Sequence, residues 1–259
     1  VCRKLAHSTI VLAVALLPLP GLLRAQVNIE RLRRTAAGTG LSGSTGAHLT
    51  ARTGNVQLVL LTLNGRVDYV RPHWLAFAVG NTDVGWQGGR RFSNTGLLHL
   101  RYNYLVAPAV AAELFGQIDY DKARLLAFRT IAGAGPRFTV YGAKRWRVAI
   151  GTAYMLEHER LDLPPGAPGP AVTTVSRWSN YVSASYGAPP RLATVGTVYA
   201  QPRFDDFGDT RVLGDFRLAV QLVGSVSLTV SSHVRYDSQP PPGIRPVDTA
   251  LTTGVALEW

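Results

Sequence analysis

The stretch Ser225-Val226-Ser227-Leu228-Thr229-Val230-Ser231-Ser232-His233-Val234-Arg235-Tyr236 alternates with a period of two. Val226, Leu228, Val230, Val234 and Tyr236 fall on one face, and Ser225, Ser227, Thr229, Ser231, His233 and Arg235 on the other. Successive side chains of a strand point to opposite faces, so this segment reads as a β-strand with one apolar and one polar side. The pattern recurs outward along the chain. Leu251, Val255, Leu257 and Trp259 oppose Thr252, Gly254, Ala256 and Glu258, and Trp146, Val148, Ile150, Tyr154 and Leu156 oppose Arg145, Arg147 and Glu157. Leu98, Leu100, Tyr102 and Tyr104 oppose His99, Arg101 and Asn103, while Leu114, Ile118 and Tyr120 oppose Glu113, Gln117, Asp119 and Asp121. Val212, Phe216, Leu218 and Val220 oppose Arg211, Asp215, Arg217 and Gln221. Parity is looser over 56–70 and 74–86, where bulges would account for it.

Such runs predict about twelve strands, near 39–52, 55–70, 74–86, 92–105, 110–121, 126–141, 145–159, 175–187, 192–203, 210–222, 225–237 and 248–259. The connections alternate in length. Short ones fall at Arg71-Pro72-His73, Ala107-Pro108, Gly142-Ala143-Lys144, Ala188-Pro189-Pro190 and Val223-Gly224; longer ones fall mostly at 87–91, 162–174, 204–209 and 238–247. An even number of antiparallel strands, with short turns on one side and longer loops on the other, marks an antiparallel transmembrane β-barrel, an all-β fold. The first and last strands are expected to pair and remove both open edges.

Composition agrees. Of 259 residues, 46% are hydrophobic and only 17% charged, against roughly 25% charged in an average soluble domain, and disorder requires the opposite balance. The longest apolar stretch, Ile10 to Leu23, is broken by Pro18 and Pro20 and falls short of the roughly 20 residues of a spanning helix. Arg3 and Lys4, the apolar run Ile10 to Leu17 and the Leu23-Arg24-Ala25 site before Gln26 form the anatomy of a secretory signal peptide over residues 1–25, leaving one barrel domain over 26–259. Removing Arg3, Lys4 and Arg24 lowers the formal charge from +11 to +8. Cys2 is the single cysteine, so the mature chain has no disulfide framework and no cysteine-based metal site.

A soluble β-sandwich or lipocalin-like barrel also has one apolar face per strand. Three features favour the membrane barrel. Tyr69, Tyr104, Tyr141, Trp146, Tyr186 and Trp259 collect beside the short turns, and Trp86, Tyr120, Trp178, Tyr199 and Tyr236 beside the long loops, as two interfacial girdles require. The polar faces carry Arg, Asp and Glu in mid-strand, which suit a hydrated lumen better than a dry core. The chain also ends on an aromatic residue within an alternating strand.

The block Arg235-Tyr236-Asp237-Ser238-Gln239-Pro240-Pro241-Pro242-Gly243, followed by Asp248-Thr249 and Leu251-Thr252-Thr253-Gly254, resembles the YdiY-like salt-induced outer-membrane protein family. The run Gln201-Pro202-Arg203-Phe204-Asp205-Asp206-Phe207-Gly208-Asp209-Thr210-Arg211 is similar to that family's proline, aspartate and arginine signature before its penultimate hairpin. Arg129, Gly133, Gly135, Glu157 and Glu159-Arg160-Leu161 are similar to its centre, and the resemblance spans about 40–259. The chain departs by inserting Pro164–Pro170 in its longest loop and by carrying Thr210 where an aromatic is common. The resemblance implies fold and location; the family has no established activity and supplies no catalytic residues.

No catalytic constellation stands out. None of the six histidines has the spacing of an HExxH site. Ser232 and the adjacent His233 point to opposite faces, and no GxSxG elbow exists. Gly133-Ala134-Gly135 and Gly38-Thr39-Gly40 are not followed by a helix that would make them phosphate loops. Lys and Arg are scattered without a basic cluster, which argues against nucleic acid. Asp205, Asp206 and Asp209 read as a solvated turn before a divalent-cation site. The chain is therefore expected to be no enzyme and to bind no cofactor.

The lumen-lining candidates are Arg66, Asp68, His99, Arg101, Glu113, Asp119, Arg129, Arg145, Arg147, Glu157, Asp215, Arg217 and Arg235, with Asp121 on the same face as Asp119. Either these charges pair across strands and fill a narrow barrel, or they form an arginine-rich ladder along a small water-filled pore; pairing is the simpler reading. Val255, Leu257 and Trp259 form the candidate assembly signal, the alternation and terminal aromatic that barrel-assembly machinery reads in outer-membrane proteins generally. The expected function is a small passive pore or envelope-stabilising barrel in the outer membrane of a diderm bacterium, monomeric and in contact with outer-membrane lipids and lipopolysaccharide. The alternative is a non-transporting barrel that binds a ligand or surface through its extracellular loops.

Overall fold

Alternation of the kind seen in 98–104 produces strands because the apolar side of each can pack against its neighbours' apolar side, while the polar side meets only polar groups. The computed structural model describes residues 39–188, 191–223 and 226–257. The expected signal peptide, 1–25, and Trp259 lie outside them. Twelve strands follow one another: β1 (Gly40–Arg52), β2 (Leu58–Val70), β3 (Trp74–Gln87), β4 (Arg90–Ala107), β5 (Val110–Asp121), β6 (Leu126–Gly142), β7 (Trp146–Leu161), β8 (Val172–Ala188), β9 (Leu192–Pro202), β10 (Thr210–Val223), β11 (Val226–Asp237) and β12 (Val247–Leu257). Each is hydrogen-bonded to its neighbour in sequence, giving one sheet in the order β1 to β12, with every ladder antiparallel.

Two expectations are corrected. The described residues of β1 and β12 share no ladder, so the sheet keeps two edges instead of closing. Gly40, Gly43 and Gly46 leave β1 with little side-chain surface for the cross-strand pairs that hold strands together. The β3–β4 connection, expected to be long, is a two-residue turn in which Gly88 and Gly89 have φ of 55° and 76°, the backbone of a tight hairpin that only glycine adopts easily. A bulge interrupts the β3–β4 register at Gly85/Trp86, whereas β2 runs in continuous register with both neighbours.

Burial is inverted relative to a soluble sheet. On β4, His99, Arg101 and Asn103 are buried, while Leu98, Leu100, Tyr102 and Tyr104 are exposed, Leu100 at 52%. Arg129 and Asp121 are fully enclosed, at 0%. The buried apolar groups are few and scattered, with Phe77 and Val79 in one cluster and Tyr181, Tyr199 and Leu213 in another. The sheet therefore curls around its polar face.

Curling is aided where a ring lies over a cross-strand glycine. Phe115 covers Gly133 and Tyr181 covers Gly151, at positions where a Cβ would sit 2.3 and 2.1 Å from ring carbons. Gly135 is tighter still, because a Cβ there would lie 1.9 Å from the main-chain oxygen of Thr152. A ring can rotate away; main chain in a ladder cannot. Gly135→Ala is expected to destabilise the folded barrel by about 1–3 kcal/mol. Gly116→Ala, whose Cβ would find nothing closer than 3.7 Å, should be neutral or stabilising by up to about 1 kcal/mol. Urea midpoints of the two detergent-refolded variants check the contrast.

Candidate functional site: the arginine and carboxylate interior

Period-two alternation on β5 to β8, β10 and β11 sends one charged series inward, and its centre is Glu157 on β7. Its Oε1 accepts Arg177 Nε from β8 at 3.1 Å, and its Oε2 accepts Arg211 Nη1 from β10 at 2.5 Å. Arg129 Nη1 from β6 stands 4.0 Å away. Arg129 is itself clamped by Asp119 of β5, which accepts Nε at 3.1 Å and Nη2 at 2.6 Å. Arg211 also donates Nη2 to Glu159 and Nε to Asp237, each at 3.1 Å. Arg177 donates Nη2 to Asp209 Oδ1 at 3.0 Å and Nη1 to the main-chain oxygens of Gln201 and Asp209 at 3.1 Å. β7 and β10 are three places apart in the sheet, so the Glu157–Arg211 contact exists only because the sheet is strongly curved.

A second group occupies the half nearer the short turns. Tyr181 Oη donates to Glu113 at 2.8 Å and receives Arg137 Nη1 at 2.9 Å, with Arg101 Nη1 3.5 Å from the same carboxylate. His99 Nδ1 contacts Gln117 Oε1 at 3.1 Å, and Gln117 passes the chain on to Asp119 at 3.0 Å. Arg66 pairs with Asp68 and lies over the Phe77 ring at 4.5 Å; nearer the long loops, on β10 and β11, His233 Nδ1 is 2.9 Å from Asp215. Each of these carboxylates thus meets a guanidinium or an imidazole, the condition under which charge tolerates burial.

Of the candidates read from the sequence, Arg66, Asp68, His99, Arg101, Glu113, Asp119, Arg129, Glu157, Asp215 and Arg235 are buried inside the curl. Arg145, Arg147 and Arg217 are exposed and lie outside the network. The cross-strand neighbours of Arg217 are Val195 and Ser231, and those of Arg147 are Gly142 and Ser185, so no carboxylate draws either guanidinium inward. Val255 is exposed on β12, and Leu257 pairs through its main chain with Val226. Sequence reasoning left out Arg177, Arg211, Asp237, Glu159, Arg137 and Tyr181. Strict parity would have found them, since each shares the inward phase of a strand already recognised; Asp209, in the β9–β10 loop, had no such signal.

Outside the barrel wall, Arg203 donates to Asp205 at 2.9 and 2.7 Å, and those hydrogen bonds hold the Asp205 carboxyl below the usual carboxylate range. The contrast with the interior is testable. Glu157→Ala removes the acceptor that Arg177 and Arg211 share, leaves Arg177 with Asp209 and Arg211 with Glu159 and Asp237, and should cost about 1–3 kcal/mol of stability. Asp205→Asn, on a solvated pair, should leave the urea midpoint within experimental error.

The structure is similar to one titled "NanC porin structure in rhombohedral crystal form", with a TM-score of 0.48 and 7% identity, over 84% of this chain and 99% of that one. No curated protein matches the sequence. A family model described as "Protein of unknown function, DUF481" matches residues 46–259, nearly the span over which the chain resembles the YdiY-like proteins. The chain belongs to the DUF481 family, whose function is unknown.

Proposed function

We propose that this protein is an outer-membrane β-barrel that strengthens the envelope and whose interior is closed at rest by its arginine–carboxylate network. The observation that carries the reading is the position of Glu157, bridged to β8 and β10 across the polar interior. Ion pairs with this geometry fill the space that a conducting path would need. The membrane setting is supported by the outward face, where Leu98, Leu114, Ile118, Val182, Val198 and Leu251 are exposed. Aromatic groups bracket that face. Trp74 lies between Tyr69, edge-on at 5.2 Å, and Tyr102, tilted at 5.6 Å, and Trp146 meets Tyr186 at 4.8 Å, toward the short turns; Phe204 meets Tyr154 and Trp178 at 5.6 and 6.5 Å toward the long loops. On β8, Trp178 and Tyr186 are eight residues apart, about 27 Å along a strand. A tilt of roughly 40° reduces this to about 21 Å of height, near the ~25 Å apolar band of such barrels. The reading assigns no catalytic role to any side chain.

A small passive pore is the second reading, favoured by the exposed Arg145, Arg147 and Arg217 on the half nearer the short turns. Planar-bilayer recording separates the two. The closed barrel is expected to give no sustained steps as wild type, and to acquire them when Arg177→Ala and Arg211→Ala are combined. Stable ion-selective steps from the wild type would establish the pore instead, and Arg145→Glu or Arg217→Glu should then move the reversal potential toward cations. For assembly, deleting Trp259 should lower the amount of folded barrel in outer-membrane fractions far more than Trp146→Ala. Equal losses would remove the terminal residue's special role.

A further inference from the structure

At the long-loop end the β5–β6 connection makes one 3-10 turn, Lys122–Arg124. Asp121 fixes it by accepting the Ala123 N–H at 3.0 Å and Arg124 Nε at 2.6 Å. Arg124 is thereby turned into a cavity shared with Arg235 of β11 and roofed by Pro241, Ile244 and Arg245 of the β11–β12 loop. The cavity is small, about 20 Å³, room for one or two water-sized atoms, and it opens to solvent. Arg124 and Arg235 are more than nine-tenths buried.

Three nitrogens here, Arg124 Nη2 and Arg235 Nε and Nη1, are enclosed and meet no acceptor. The neighbouring carboxylates are already engaged. Asp121 serves the turn, Glu159 takes Arg211, and Asp237 takes Arg211 Nε, the Gln239 N–H and, at 3.6 Å, Arg235 Nη2. A desolvated guanidinium N–H without an acceptor is costly, and its strongest partner is an anionic oxygen held by a planar fork. The lining adds to this preference, with Arg124, Arg211, Arg235 and Arg245 against Glu159, Asp237 and Asp248.

We propose that Arg124 and Arg235 form a binding site for a single small oxyanion, the carboxylate, sulfate or phosphate group of a free solute that arrives from the long-loop side. The site lies off the Glu157 centre and does not depend on whether the barrel conducts. The probe is labelled inorganic phosphate, dialysed to equilibrium against the full-length, detergent-refolded chain. Saturable uptake approaching one phosphate per chain is expected, displaced by sulfate and acetate and untouched by glycerol. Loss of a charged hydrogen-bond pair should weaken uptake roughly tenfold to a hundredfold in Arg235→Gln and Arg124→Gln. Arg235→Lys, which keeps the charge and loses the fork, should lie between. The double variant Arg145→Gln/Arg217→Gln should bind as wild type does. Absence of saturable uptake by the wild type, measured on protein whose heat-modifiable gel mobility shows it folded, would mean that water alone fills the cavity and would overturn the proposal. Uptake lost in the Arg145/Arg217 variant and kept in Arg235→Gln would overturn it too, by placing the anion on the exposed arginines.

Discussion

The fold depends on one carboxylate. Glu157 is enclosed by protein and touches arginines from two other strands, one of them three places away in the sheet. An isolated carboxylate in such a position would be prohibitively costly, so the sheet must bend until the arginines reach it. The curvature and the charge pairing are therefore the same constraint seen from two sides. A flatter sheet would leave Arg211 with Asp237, its cross-strand neighbour on β11, but short of Glu157 and Glu159 on β7.

Once the polar face is committed to the inside, the apolar face has nowhere to go but out. Leu100, Leu114, Val182 and Val198 are exposed because their strand neighbours His99, Arg101, Glu113, Tyr181, Ser183 and Thr197 hold the inward positions. This inversion, more than strand number, separates the chain from a soluble sheet sandwich, whose apolar faces pack against each other. The cross-strand glycines serve the same end. Gly133 and Gly151 leave space for Phe115 and Tyr181 to lie flat within an interior already crowded by guanidinium groups.

Much of this was legible in the sequence, and the limits are physical. The phase of β4, β5, β7 and the first half of β10 could be read directly, because alternation is a property of a single strand. Strand ends were close too. β5 has the limits expected of it, while β4 and β8 extend two or three residues past theirs. Lateral partnership was not legible. Nothing in the neighbourhood of Glu157 announces Arg211, which lies 54 residues on, and nothing near Arg217 announces that its flanking strands offer only Val195 and Ser231. Parity says which way a side chain points, and only the curl decides whether an opposite charge waits there. The missing ladder between the described residues of β1 and β12 has a related reason, since pairing of the outermost strands depends on the glycine-rich β1 finding enough surface to hold.

Because every ladder joins strands adjacent in the chain, each contact closes only a short loop; the widest β1–β2 pair, Gly40 with Val70, spans 30 residues. A join between β1 and β12 would close a loop of roughly 200 residues, at about 2 kcal/mol more entropy cost by the logarithmic dependence on length. The topology accordingly has low contact order apart from that seam. Hairpins can add one after another to a growing sheet, each templated by the edge left by the last. The seam is then the final and least favoured ladder to form, and the point from which the sheet would unravel first.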